Sequence, residues 1–145
     1  MSAYLDSGVI VKLYVPEPNS ADAIRLATAS PPPGVLSAWQ AVEVRNALRL
    51  KRFRGEISAA QLRAALAALA HDERTGRWQR PAVDVSLTLQ RAELLSSRFA
   101  PSLGVRTLDI VHVATAVELG LKDFVSFDGR QRQLAKKAGL RVLPK

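Results

Sequence analysis

Short apolar runs bounded by turn residues alternate along this chain with longer segments whose apolar positions recur every three or four residues. The first run, AYL, stops on Asp6; Ser7 and Gly8 break it, and Val9, Ile10, Leu13 and Tyr14 follow at helical spacing. This pattern predicts a buried strand that turns into a helix at an acid. Pro16 to Pro18 form a turn, and Asn19 or Ser20 caps a helix carrying Ala23, Ile24, Leu26 and Ala27. Three prolines then lead into a short second strand over residues 35–37 and a long helix over 38–54, with Trp39, Val42, Leu48 and Leu50 among its apolar positions and Gly55 closing it. Ser58 caps a helix whose Leu62, Leu66 and Leu69 lie on one stripe. Residues 78–83 read as an edge strand, since Pro81 fits poorly in a central one. A helix over 84–99, a loop over 101–106 and an apolar helix capped by Thr107 and stopped by Gly120 come next. A strand over 123–127, a helix over 131–138 and a last strand over 140–143 complete the pattern. Strands that alternate with helices imply parallel β-α units with helices on both faces, an α/β fold.

Composition narrows the class. A chain of 145 residues, 48% hydrophobic, buries one core, so residues 1–145 are expected to form a single domain. No apolar run nears the roughly 20 residues that span a bilayer, and the start has no charged, cleavable leader. Cysteine is absent, which removes disulfides, thiolate metal sites and cysteine nucleophiles. A soluble protein of the cytoplasm, without membrane contact, is the expectation. The formal net charge of +8 suits a polyanionic partner such as nucleic acid, though basic residues also serve simply to solvate a surface.

Four acids carry the candidate chemistry. Asp6 and Asp128 end two strands, Glu43 lies shortly after another, and Asp109 opens an apolar helix. Each has an ordinary account alone: a helix cap for Asp6, the helix dipole for Asp109, an Asp-Gly turn for Asp128. Glu43 is harder to dismiss, because Trp39, Gln40, Asn46 and Ala47 occupy the positions three and four residues away and none is cationic. It shares a face with Trp39 and Ala47, expected to point inward, where a carboxylate needs a cation. A parallel sheet brings the ends of its strands to one edge. Four carboxylates meeting there would repel one another, and a divalent metal relieves the repulsion. Oxygen-only ligands without histidine or cysteine suit Mg²⁺ or Mn²⁺ rather than zinc.

The segments YLDSGVIVKLYVPEP, LSAWQAVEVRNAL, RTLDIVHVATAVELG and FVSFDGRQRQLAKKAGLRVL together resemble the PIN-domain ribonucleases, and within them the VapC toxins of bacterial type II toxin–antitoxin modules. They stand in family order and span nearly the whole chain. The resemblance implies a PIN-like three-layer α/β/α fold whose central parallel sheet has strand order 3-2-1-4-5, and a metal-dependent endonuclease acting on RNA. It places Asp6, Glu43, Asp109 and Asp128 in the acidic metal-binding set, with Ser7 and Ser126 at the family's hydroxyl positions. Gly8 departs from the serine common at its place. It also implies a cognate antitoxin and a homodimer or toxin–antitoxin hetero-oligomer, for which Leu62, Leu66 and Leu69 serve either as interface or as core.

Around such a site Lys12, Arg45, Arg49, Arg52, Arg130 and Arg132 are candidates for holding RNA phosphates, each equally readable as a solvated charge. His112, three residues after Asp109, is read as a packing residue. With only two histidines, a histidine acid-base pair is not expected. Two other readings compete. An aspartate-based phosphatase needs a second aspartate where Gly8 stands. A catalytically silent RNA-binding or interaction module would use the basic surface alone, and Mn²⁺-dependent cleavage separates it from a nuclease.

Overall fold

The computed structural model describes residues 3–145. In chain order the elements are β1 (Ala3–Leu5), α1 (Ser7–Tyr14), α2 (Ser20–Ala29), β2 (Gly34–Val35), α3 (Ala38–Phe53), α4 (Ala59–Arg74), β3 (Trp78–Gln79), α5 (Val85–Leu103), α6 (Thr107–Glu118), β4 (Asp123–Val125), α7 (Gly129–Lys137) and β5 (Arg141–Leu143). Contacts divide them into two compact units, Ser7–Pro81 and a second made of residues 3–6 with Ala82–Lys145.

In the first unit, α1 packs on α2 and α3, and α3 on α4. The buried stripe runs through Val9, Ile10 and Val11 of α1, Ala23 and Leu26 of α2, Val44 and Leu48 of α3, and Ala65 and Leu69 of α4. Leu69 is core, while Leu62 and Leu66 are half-buried. Helices α3 and α4 both start in closed capping boxes, Ser37 with Gln40 and Ser58 with Gln61, which satisfy two otherwise unpaired amides at each start. Asn19 holds the position before α2 in a left-handed conformation (φ 68°) without a side-chain cap bond. Strands β2 and β3 pair in parallel, Gly34 opposite Trp78.

In the second unit, β1, β4 and β5 form a parallel sheet in that order. Ala3 faces Asp123 and Leu5 faces Val125; Asp123 faces Arg141 and Val125 faces Leu143. Tyr4 and Phe124 are fully buried and stack at 5.6 Å, each contributing about 1.5–3 kcal/mol or more by leaving water. Helix α6 is buried without a break from Ile110 to Ala116 and packs on α5 and α7.

The α/β class and the parallel strands are as expected, and the neighbours 3-2 and 1-4-5 of the expected order are observed. The ladders form two sheets rather than one of five strands, because β2 is only two residues long between the proline run and the cap of α3. Strand β3 likewise ends at Gln79 rather than residue 83, ahead of Pro81, which has no amide to donate. Helix α5 runs past Phe99 and through Pro101, where a loop was expected: proline removes one bond near the last turn, and Gly104, left-handed at φ 65°, supplies the stop. Thr107 is the first residue of α6 and not its cap. Arg106 stands at the cap in extended backbone, its carbonyl accepting the Ile110 amide at 3.1 Å. Val42 and Leu50 point outward, 70% and 39% exposed, since the core stripe of α3 is Gln40, Ala41, Val44 and Leu48. No helix among the described residues is long and apolar enough to cross a membrane.

Candidate active site

Three acids of the second unit, Asp6, Asp109 and Asp128, lie at strand or helix ends that Gln131 brings together. The Asp6 amide donates to the Val125 carbonyl at 2.9 Å, extending the β1–β4 ladder one residue beyond Leu5. This fixes the half-buried Asp6 beside the end of β4. Asp109 lies in the first turn of α6 and Asp128 caps α7, its Oδ1 accepting the Gln131 amide at 2.8 Å. Both line one polar cleft of about 350 Å³ together with Gly104, Val105, Arg106, Gly129 and Arg130. Two carboxylates there can hold a cation, while two guanidinium groups and two helix N-termini favour an anion. A cleft with both signs could take a divalent cation on its carboxylates and an anionic group on its guanidinium side.

Gln131 joins these residues, and it has no place in the sequence-based site. It is fully buried. Its Nε2 donates to Asp6 Oδ1 at 3.0 Å and reaches the Asp109 carbonyl at 3.5 Å, while its Oε1 accepts the Ser126 hydroxyl at 2.7 Å. Ser126 in turn accepts the Asp128 amide at 3.0 Å. Thus Ser126 touches the site through Asp128 and Gln131. The sequence signal that could have exposed Gln131 is the Asp-x-x-Gln step at a helix start.

His112 is fully buried, its Nδ1 hydrogen-bonded to the Tyr4 hydroxyl at 2.8 Å. A ring nitrogen of His112 and a carboxylate oxygen of Asp6 lie within 4.8 Å. Ser7 is buried at the start of α1. In the first unit, Glu43 sits half-buried on the flank of α3 with Trp39 and Ala47. The face expected to point inward is therefore the border of the core stripe, because the capping box turns Gln40 inward instead.

The six basic candidates divide. Arg49, Arg52 and Arg130 are exposed, Arg130 reaching the Gly104 carbonyl at 3.4 Å at the cleft. Lys12 pairs with Glu17 at 2.9 Å, and Arg45 pairs with Glu73. Arg132 donates to the carbonyls of Ser126, Leu143 and Pro144 at 2.8, 3.1 and 2.7 Å, tying the C-terminal end to the sheet.

The PIN-domain family model matches residues 3–137. The chain belongs to the PIN-domain family. Among characterised proteins it is 38% identical to Ribonuclease VapC46 of Mycobacterium tuberculosis over 142 residues, covering 97% of this chain and 95% of that protein. Its PIN fold matches the crystal structure of Mycobacterium tuberculosis VapC20, described as a sarcin-ricin loop cleaving toxin, with a TM-score of 0.69 at 22% identity over 97% of both chains. It also matches a toxin–antitoxin complex from Klebsiella pneumoniae, with a TM-score of 0.59 at 15% identity over 88% of this chain and 87% of that one. These two likenesses concern the PIN fold. The curated relative extends the VapC resemblance through the whole sequence.

Proposed function

We propose that this PIN-domain protein is a metal-dependent endoribonuclease toxin that hydrolyses phosphodiester bonds in RNA and is neutralised by a cognate VapB-like antitoxin. The observation that carries the reading is the cleft of Asp109, Asp128, Arg106 and Arg130, with Asp6 tied to the same group through Gln131. The close relative named as a ribonuclease supports it. The reading takes residues 1–145 as one PIN domain, and Glu43 enters the ligand set through the likeness of its segment to the family. A toxin–antitoxin complex among the structural matches supports an antitoxin partner. A homodimer or toxin–antitoxin hetero-oligomer in the cytoplasm is part of the same proposal.

The donor set fits a hard divalent ion, because Asp6, Asp109 and Asp128 offer carboxylate oxygens and the chain has no cysteine. When bound, Mg²⁺ or Mn²⁺ supplies Lewis acidity, lowering the pKa of a coordinated water and neutralising charge that develops on the phosphate. The chain's own residues do the rest. Asp6 and Asp109, at a strand end and in the first turn of a helix, would hold the ion, and Asp128 and Glu43 would assist. Arg130, with Arg106, holds phosphate oxygens at the rim of the cleft. Exposed Arg49 and Arg52 add phosphate contacts along the strand, so RNA affinity falls steeply with salt.

The test is cleavage of total RNA by the purified chain with Mn²⁺ or Mg²⁺, followed by sequencing of the new ends. Asp6→Asn and Asp109→Asn should each lose more than about 100-fold in rate, beyond the usual cost of removing a supporting residue, while keeping the native unfolding temperature. Undiminished cleavage by both variants refutes the site. RNA binding without metal-dependent cleavage by the native chain would instead favour the silent RNA-binding module.

A further inference from the structure

Three helices begin with a Ser-x-x-Gln or Asp-x-x-Gln step: Ser37 to Gln40, Ser58 to Gln61 and Asp128 to Gln131. In the first two the box closes locally, with the glutamine Oε1 accepting the amide of its own cap residue at 2.7 Å. The third box is opened. Asp128 still caps the Gln131 amide, but its own amide donates to Ser126, and the Gln131 side chain turns away to the end of the sheet. There it meets Asp6, the Asp109 carbonyl and Ser126.

The orientation of this amide follows from the proton count. The Asp109 carbonyl and a carboxylate oxygen of Asp6 only accept, so the amide hydrogens must serve them, which leaves the amide oxygen to receive the Ser126 hydroxyl, itself accepting the Asp128 amide. The NH₂ group therefore faces Asp6 and the Asp109 carbonyl. A fully buried donor fixed in this way sets the rotation of the Asp6 carboxylate. A glutamine serving only the helix start would close the box, as Gln40 and Gln61 do.

We propose that Gln131 is a positioning residue that holds the Asp6 carboxylate in register with Asp109 for metal binding, its amide oriented by Ser126. The inference rests on the nuclease reading above. Gln131 acts through Asp6 and does not touch substrate.

The experiment is calorimetric titration of the purified full chain with Mn²⁺, comparing the native sequence, Gln131→Met, Ser126→Ala and Leu134→Ala. Methionine keeps the length of the side chain but has no amide donor. Gln131→Met should bind Mn²⁺ about 10–100-fold more weakly, as is typical when a residue that orients a ligand is removed. Its RNA cleavage should recover as Mn²⁺ is raised. Leu134→Ala opens a cavity in the same helix at a fully buried position one turn beyond Gln131 without removing a polar group, so it should lower the unfolding temperature and leave the Mn²⁺ affinity unchanged. An unchanged Mn²⁺ affinity in folded Gln131→Met overturns the proposal. If that variant does not fold, Ser126→Ala decides, because it keeps the glutamine but removes the hydroxyl that anchors its amide oxygen; unchanged affinity there overturns the proposal equally. Absence of Mn²⁺ binding by the native chain overturns the nuclease reading and this inference with it, and that result is distinct from normal binding by the variants.

Discussion

Replacing Tyr14 by phenylalanine removes one oxygen from the end of α1 and tests how the first unit is held together. That oxygen donates to Asp72 Oδ2 at 2.5 Å and accepts from Trp78 Nε1 at 2.6 Å, joining α1 to α4 and β3. Burial, and next the bond to Asp72, push the phenol far above its ordinary range, so it stays protonated and remains a donor to the acid. Phenylalanine preserves the ring packing but leaves a carboxylate and an indole N–H short of a partner. A hydrogen bond to a charged group contributes about 1.5–3 kcal/mol, and an unpaired buried donor costs about 1 kcal/mol or more. Trp78 is only 5% exposed, so its cost applies nearly in full. Arg77 Nε, 3.7 Å from Asp72 and 41% exposed, offsets less than about 1 kcal/mol. The net loss is about 2–3 kcal/mol, or about 5–10 °C in Tm for a chain of this length. Urea unfolding followed by tryptophan fluorescence measures it, with Trp39 and Trp78 as the two reporters. A loss below about 0.5 kcal/mol at unchanged m-value, within the range of an ordinary surface change, would refute the reasoning.

Gly34→Ala tests the same cluster from β2: its Cβ would stand 2.6 Å from Trp78 Cζ3 and 2.8 Å from Cε3, and the indole is held by its bond to Tyr14. A loss of about 1–3 kcal/mol is expected, and an unchanged Tm would count against a rigid indole. Acid sensitivity follows from two carboxylates of the first unit. Burial raises Glu17, but the hydrogen bonds from Lys51 and Lys12 outweigh it and hold its pKa below the ordinary value; Glu73 is treated the same way by burial, Arg45 and Arg80. Because the folded values lie below the unfolded ones, the stability they contribute is present above about 4.5 and is lost as pH falls below it. The double variant Glu17→Gln, Glu73→Gln should lose Tm less steeply over that range than the native chain, and parallel curves would exclude these two groups as the source.

Much of this architecture was legible because local chemistry and tertiary packing agree. Ser37 and Ser58 start helices with their own boxes, Gly55 and Gly120 follow helix ends in left-handed conformations, and the apolar helix around Asp109 is buried as its composition demands. The misreadings come from competition at boundaries. Thr107 looks like a cap, but the extended backbone of Arg106 takes that place. Pro101 looks like a stop, but it falls where a helix has few bonds left to lose. Asp6, Asp109 and Asp128 stood out because burying or clustering carboxylates demands a compensating partner. Gln131 did not, since a neutral amide has no charge to balance and its role appears only when strand and helix ends meet. For Lys12, Arg45 and Arg132, positive charge in the sequence does not distinguish a phosphate contact from an internal tie, and the structure gives all three internal partners.

The pairing of Ala3 with Asp123 has a temporal consequence. Strand β1 leaves the ribosome well before β4, the strand it pairs with, and Ser7–Pro81 gathers into its own unit from the residues made in between. The ties that Asp6 makes to the Val125 carbonyl and to Gln131 therefore form only once β4 and α7 have followed. Under the proposed nuclease reading, assembly of the centre is thereby postponed until β4 and α7 have both been made.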